Sequence, residues 1–184
     1  AIDLGLSVKW AEWNLGATAP EEYGAYYAWG ETAPKTTYEE SNYVHANGSL
    51  KSLTKYCKTS EFGTVDNKTR LEKSDDAAYV QWGEGWRIPT QKEFSELLEN
   101  CTVTNEQING VYVKKFTSRK NGKSIVLPSA GLYGKFHENG YYGYYYWTSD
   151  LWYGDSMCAY FYDSKAVTAG AGRSVGYSIR PVYK

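Results

Sequence analysis

Histidine, cysteine and methionine are scarce in this chain of 184 residues, which holds two, three and one of them respectively. His45 and His137 stand far apart, with no HxxxH or HExxH spacing, so neither brings a second metal ligand with it. Both read as solvated loop histidines rather than as ligands or general bases. Cys57, Cys101 and Cys158 are an odd number without metal-ligand spacing. They allow at most one disulfide, and three unpaired, mostly buried thiols are the favoured reading. Charge of either sign is not in excess: the formal net charge is -1, which removes the electrostatic case for nucleic acid or an anionic membrane. No run approaches the roughly 18 apolar residues of a membrane span. The glycine-rich stretch Thr168-Ala-Gly-Ala-Gly172 lacks the GK[ST] of a phosphate cradle, and no GxSxG elbow occurs. No cofactor and no catalytic set is therefore expected. A signal peptide does not open the chain at Ala1-Ile2-Asp3-Leu4, which leaves a secreted origin open, because a leader is removed from a mature chain.

What the chain has in quantity is tyrosine and tryptophan: 19 Tyr and 7 Trp against 5 Phe. Both residues join a large apolar body to a polar handle and suit half-exposed positions and contact surfaces. Length and composition fit one domain, residues 1–184, with a real core. Leu6 to Leu15 reads as a strand. Residues 35–73 are polar and aperiodic, a loop-rich insertion. Ser74-Asp75-Asp76 are capping residues for a helix through Ala77–Trp82 that Gly83 stops; capping outweighs a paired-carboxylate site there. Thr90-Gln-Lys-Glu93 is a capping box, followed by an apolar stripe at Phe94, Leu97, Leu98 and Cys101. Val111–Ser118 and Ser124–Leu127 flank Asn121-Gly122, a hairpin signal. Tyr177–Tyr183 reads as a terminal strand with Pro181 at an edge, and the terminal segments are expected to pair. Strands, two helices and then strands make an α+β chain.

Residues 133–162 hold 13 aromatics, from Tyr133 to Tyr162, while 141–172 hold four charged residues, Asp150, Asp155, Asp163 and Lys165. Tyrosine-rich, charge-poor sequence with interspersed Gly and Ser is the composition of an antibody-like paratope. Five tyrosines in six residues, 141–146, crowd more hydroxyls than an interior readily satisfies. Alternation along a strand would turn about half the rings of Tyr141–Tyr145 outward. Trp147 and Phe161 are the candidates for the core.

Several segments carry a resemblance. Asp3-Leu-Gly-Leu-Ser-Val-Lys-Trp-Ala, Asn14-Leu-Gly-Ala and Tyr27-Ala-Trp-Gly-Glu-Thr32 look like the opening of a family of Bacteroides-type surface proteins. Gly85-Trp-Arg-Ile-Pro-Thr-Gln-Lys-Glu-Phe94 resembles that family's W-R-[LIM]-P-T-x-x-E-[WF] segment, which is related to one in formylglycine-generating enzymes. Tyr146-Trp-Thr-Ser149 and Ser178-Ile-Arg-Pro-Val182 resemble its closing motifs. The resemblance spans nearly the whole chain outside 35–73. It implies a C-type-lectin-like fold, two helices packed on twisted antiparallel sheet with long irregular loops. The paired cysteines of the formylglycine-generating enzymes have no counterpart, since Cys158 stands alone. The EPN, QPD and WND calcium-and-sugar motifs of animal lectins are absent too.

A closer similarity is to the variable proteins of diversity-generating retroelements, whose mutagenised segment precedes a fixed Arg-Pro-Val strand. Carried over by place, their variable positions fall at Trp152, Tyr153, Asp155 and Met157, and at Ala166, Thr168, Gly170, Ala171 and Ser174, with Tyr142, Tyr144 and Tyr145 upstream in the same face. The resemblance thus implies a non-catalytic display domain with its ligand-binding face in 141–175. Its ligand is a protein or glycan on another surface, and its setting the cell surface, the extracellular space or a phage virion. The expected protein is a monomer with no nucleic-acid partner and no membrane span. A structural or assembly module of a surface appendage, and a diverged enzyme, are the alternatives. For an enzyme, a pocket with converging ionisable groups should appear, and none is expected.

Overall fold

A computed structural model describes residues 1–133, 143–151, 157–161 and 169–184, with backbone alone for 157–161 and 169–171. It is mixed α+β, with three small sheets and two helices. In chain order the strands are β1 (Lys9–Trp10), β2 (Tyr26–Tyr27), β3 (Trp86–Arg87), β4 (Cys101–Ile108), β5 (Val111–Ser118), β6 (Ser124–Pro128), β7 (Tyr146–Leu151), β8 (Met157–Phe161), β9 (Ala169–Gly172), β10 (Tyr177–Ser178) and β11 (Val182–Tyr183). Helix α1 spans Ala77–Trp82 and α2 spans Gln91–Asn100. One sheet has the order β1-β11-β3, a second β2-β10-β7-β8-β9, and β4-β5-β6 form a meander.

Both helices start where their caps dictate. The Asp76 carboxylate accepts from the amides of Ala78 and Tyr79, and Gly83 ends α1. At α2 the Thr90 hydroxyl accepts from the Glu93 amide while the Glu93 carboxylate accepts from the Thr90 amide, the reciprocal box read from the sequence. Asp75 does not cap α1, contrary to the sequence reading; its carboxylate accepts from Lys55 and Tyr56 instead. Phe94 and Leu97 are buried, each burial stabilising by roughly 1.5–3 kcal/mol. Cys101, placed on the helical stripe by its spacing, instead opens β4, because α2 stops at Asn100.

The β5–β6 hairpin forms around Asn121-Gly122, and a second hairpin joins β4 to β5 through Asn109-Gly110. There φ is 51° at Asn109 and 81° at Gly110, the pair of left-handed residues that a two-residue type I′ turn needs.

The chain termini pair, Lys9 opposite Tyr183 and Trp10 opposite Val182. Neither terminal segment is the continuous strand its sequence suggests. Residues 177–183 split into β10 and β11, which lie in different sheets and are flanked on both sides, so Pro181 sits at a crossing between sheets and not at an edge. Arg180 is fully buried in that crossing. Its Nε donates to Asn14 Oδ1 at 2.8 Å, and Nη1 donates to the carbonyls of Ala11 and Glu12 at 3.2 and 3.1 Å. Residues 11–14 offer those acceptors to the guanidinium, and beyond Trp10 the opening segment meets 177–183 through the Ala11 and Leu15 amides, which donate to the Pro181 and Ile179 carbonyls at 2.9 Å.

One core cluster joins Trp10, Val182, Phe94, Leu97 and the meander's Phe116 and Leu127. Another joins Tyr27, Trp29, Ile88, Trp147 and Tyr177. The stretch 35–73 has little regular structure, yet it encloses a small core of its own with Tyr43, Leu50, Leu53 and Cys57. Cys57 and Cys101 are buried, and the Cys57 thiol donates to the Thr59 carbonyl at 3.1 Å. Among the described residues no helix is long and apolar enough to cross a membrane.

Candidate functional site

Strands β7, β8 and β9 form an antiparallel meander that carries most of the candidate residues. Tyr146 faces Phe161 and Leu151 faces Cys158, with an irregularity between Trp147 and Leu151; Met157 faces Gly172, Ala159 faces Gly170 and Cys158 faces Ala171. Connectivity therefore divides the candidates between two ends of β8. Tyr144 and Tyr145 lead into β7 at one end, where 162–168 also join β8 to β9. Residues 152–156 join β7 to β8 at the other end, where Met157 pairs with Gly172 just before the turn holding Ser174. Four residue steps at about 3.3 Å each separate the ends of β8 by about 13 Å. Met157, Gly170 and Ala171 come together as backbone on neighbouring strands. Tyr142, Trp152, Tyr153, Asp155, Ala166 and Thr168 lie outside the described residues.

Two candidates are not presented to solvent. Tyr144 is 2% exposed, packed into the core with the Lys114 ammonium 4.9 Å from its ring centre. Ser174 is buried as well. Tyr145 is half-buried and stacks on Tyr177 at 5.3 Å. The neighbouring Tyr146 shows how an interior accepts such a hydroxyl: it donates to the Pro128 carbonyl at 2.7 Å and accepts from Asn14 Nδ2 at 3.3 Å. Hydroxyl crowding in 141–146 thus does not turn Tyr144 or Tyr146 outward. Trp147 is in the core, its indole N–H donating to the Tyr27 carbonyl, whereas the side chain of Phe161 and all of His137 lie outside the described residues.

A cleft of about 710 Å³ opens between α1, β3 and the start of α2. Asp76 anchors its floor: Oδ1 accepts from Ala78 and Tyr79, and Oδ2 accepts from the Ile88 amide at 2.9 Å. Arg87 forks onto both oxygens of Glu93. That pairing raises the Arg87 pKa, while Glu93, despite burial, is held below the ordinary carboxylate range by Arg87 and the Thr90 amide. Arg70 reaches Asp150 Oδ1 at 2.8 Å, and Oδ2 of the same carboxylate accepts from the Gln91 amide. Trp86 is half-buried, held edge-on by Trp82 at 4.7 Å and Tyr183 at 5.2 Å. Gly85, at φ +88°, must lack a Cβ, which would stand 2.4 Å from the Tyr183 ring. Lys73 rests its ammonium 5.1 Å from the centre of the Tyr79 ring. None of these residues belonged to the sequence-based site; their aromatic-basic spacing was absorbed into the Trp86–Phe94 scaffold motif.

Ionisable groups also converge beside the insertion, where none were expected. His45 is buried rather than solvated, and its Nε2–H donates to the Gly30 carbonyl at 3.0 Å. Asp75 Oδ2 lies 3.8 Å from that nitrogen and accepts from the Lys55 ammonium and the Tyr56 hydroxyl. Glu31, also buried, accepts from Lys35 and the Val44 amide. These groups border a shallow depression of about 370 Å³. The bonds of Asp75 and Glu31 tie the insertion to the body of the fold. Among the described residues no group of three or more His, Cys, Asp and Glu could hold a metal ion.

Burial lowers the His45 pKa below its ordinary value, against the opposing pull of the Gly30 carbonyl, Asp75 and Glu31; Lys55 adds to the lowering. A histidine that binds its proton more weakly when folded stabilises the fold above pH 6.5, and that contribution is lost as pH falls from 6.5 toward the depressed value. Asp75, held low by Lys55 and Tyr56 in spite of burial, loses its contribution only below its ordinary 3.8. Thermal unfolding of wild type is thus expected to shift downward between pH 7.5 and 5. His45→Gln, which keeps an N–H donor but does not titrate, should flatten that slope; an unchanged slope would show that His45 does not drive it.

Comparison with family models, with curated proteins and with solved structures finds no match to this chain.

Proposed function

We propose that this chain is a non-catalytic binding domain of C-type-lectin-like fold, a surface or extracellular protein, or a virion component, that captures a protein or glycan through segments mounted on β7, β8 and β9. The reading includes the likeness to retroelement-diversified variable proteins. The observation that carries it is the β7–β8–β9 register. Both connections of the meander, 152–156 and 162–168, join neighbouring strands: β8 pairs with β9 in continuous register, β7 pairs with β8 on either side of an irregularity, and β7 is rooted in the core by Tyr146 and Trp147. Paratope-like sequence on a fixed frame loses little entropy on binding. Division of the connections between the two ends of β8 favours Trp152, Tyr153, Asp155 and Met157 as one contact patch, with Ala166 and Thr168 in another.

The test is a glycan array and a panel of surface proteins probed with wild type and the double variant Trp152→Ala, Tyr153→Ala. Aromatic anchors at an interface centre contribute about 2 kcal/mol or more each, so the variant is expected to lose at least about tenfold in affinity with its melting temperature retained. Binding equal to wild type would move the ligand face off this end of the sheet.

A further inference from the structure

We propose that Asn47 is a self-modifying site: its side-chain amide closes on the Gly48 nitrogen, expels ammonia and is hydrolysed to aspartate and isoaspartate. The site stands apart from the function proposed above, since it lies in the 35–73 insertion. The steps balance with water as the only co-reactant. The Gly48 nitrogen, on losing its proton to solvent, attacks Cγ of Asn47. A new C–N bond forms, the Cγ–Nδ2 bond breaks and ammonia leaves. Water then opens the five-membered imide. Attack at Cγ returns an ordinary peptide bond with aspartate, and attack at the main-chain carbonyl leaves isoaspartate, whose main chain runs through Cγ.

Three Asn-Gly pairs lie among the described residues, at 47–48, 109–110 and 121–122, while Asn139-Gly140 lies outside them. The three differ in what holds them. Asn109 opens the type I′ turn at φ 51°, between two eight-residue strands paired along their length. Its Nδ2 donates to Glu21 Oε1 at 2.6 Å. Asn121 donates from Nδ2 to the Asp3 carbonyl at 2.9 Å and accepts at Oδ1 from the Lys123 amide at 3.1 Å. The Gly122 amide is itself engaged, donating to the Ser118 carbonyl at 3.0 Å. Both reacting groups are thus tied down at 121–122.

Asn47 has none of these restraints. It is exposed, and among the described residues neither its carboxamide nor the Gly48 amide has a hydrogen-bond partner. Gly48 has no Cβ to obstruct the approach, and even a Cβ there would meet nothing within 4 Å, so the imide ring closes into open space. The bond that ties this turn, from the Asn47 amide to the Ser52 carbonyl at 2.8 Å, lies on the amino side of the reacting atoms and does not have to break. At the other two pairs the reaction waits for local opening of a hairpin. The product makes the formal net charge of -1 one unit more negative, and places that charge on the insertion.

The full chain, held at mildly alkaline pH and then digested in mild acid, is mapped by mass spectrometry, with an isoaspartate methyltransferase marking the isomerised product. The Asn47 peptide is expected to exchange NH₂ for OH at least about tenfold faster than the Asn109 and Asn121 peptides, which corresponds to about 1.4 kcal/mol of opening cost. It should also take up the methyl label. In strong denaturant the three rates should converge, because each pair is then unrestrained. Asn47→Gln, whose imide ring would have one more member, should keep its mass over the same interval. An Asn47 peptide that retains its amide, one that converts no faster than the other two, or a ranking unchanged in denaturant would each overturn the assignment.

Discussion

Arg180→Ala is expected to be the most destabilising single substitution on the chain's terminal segment, by about 3 kcal/mol or more in denaturant unfolding. The guanidinium is fully buried and, among the described residues, has no carboxylate partner; it is held by Asn14 Oδ1 and by the carbonyls of Ala11 and Glu12. Truncation orphans those three acceptors, each at about 1–3 kcal/mol where water cannot replace the donor, and it leaves a cavity. One effect opposes this. A buried cation is itself costly, and burial pulls the Arg180 pKa down to about 10. One of its nitrogens, Nη2, also has no hydrogen-bond partner among the described residues. Removing the charge therefore returns part of the loss, and Arg180→Met, which fills the space, should be milder than Ala. If both variants unfold within about 0.5 kcal/mol of wild type, the range of ordinary surface changes, the network contributes nothing net and the crossing is held by packing alone.

This network explains why several short motifs that lie far apart in sequence belong together. Asn14 bonds Arg180 with its oxygen and donates from Nδ2 to the Tyr23 carbonyl and to Tyr146, whose own hydroxyl donates to Pro128. The opening segment, the start of β7, the end of β6 and the Ser178–Val182 segment thus share one buried polar chain. Each was legible as a motif; their convergence was not, because hydrogen bonds over more than a hundred residues leave no local periodicity.

Other parts of the fold were legible for local reasons. Both boundaries of α1 and the start of α2 follow from capping chemistry confined to a few residues, and the β5–β6 hairpin from its turn. Strand β4 escaped because its outward positions are polar and its first residue, Cys101, falls in step with the α2 stripe. Its turn, Asn109-Gly110, carried the needed signal. His45 escaped for a different reason: its neighbours in sequence are polar, but the insertion folds its small core against Gly30 and Asp75 and shuts the ring in. At the candidate site, composition alone could not sort rings into core and surface. Tyr144 and Tyr146 look like their neighbours in sequence, yet burial next to the meander takes them inward.

Asp76→Ala is expected to cost about 3 kcal/mol, and Asp76→Asn clearly less. Alanine removes the acceptor of the Ala78 and Tyr79 amides, a cap loss of about 1–2 kcal/mol. It also strands the buried Ile88 amide, at about 1–3 kcal/mol. Asparagine keeps one oxygen for the two helix amides, which share Oδ1 at 3.0 and 3.1 Å. It then turns an NH₂ toward the Ile88 N–H, where two donors meet, so α1 stays capped while its tie to Ile88 is lost. Burial raises the Asp76 pKa in spite of the three amides. Ionisation is therefore less favourable in the folded chain, and the stability Asp76 lends falls as pH climbs from its ordinary 3.8 through the raised value. The Asn variant lacks that window, so the gap between it and wild type should be widest at the acid end and narrow as pH rises through it. Unfolding curves for the three proteins across that range are the measurement. Equal losses for Ala and Asn would mean that the Ile88 bond, rather than the helix cap, carries the whole effect.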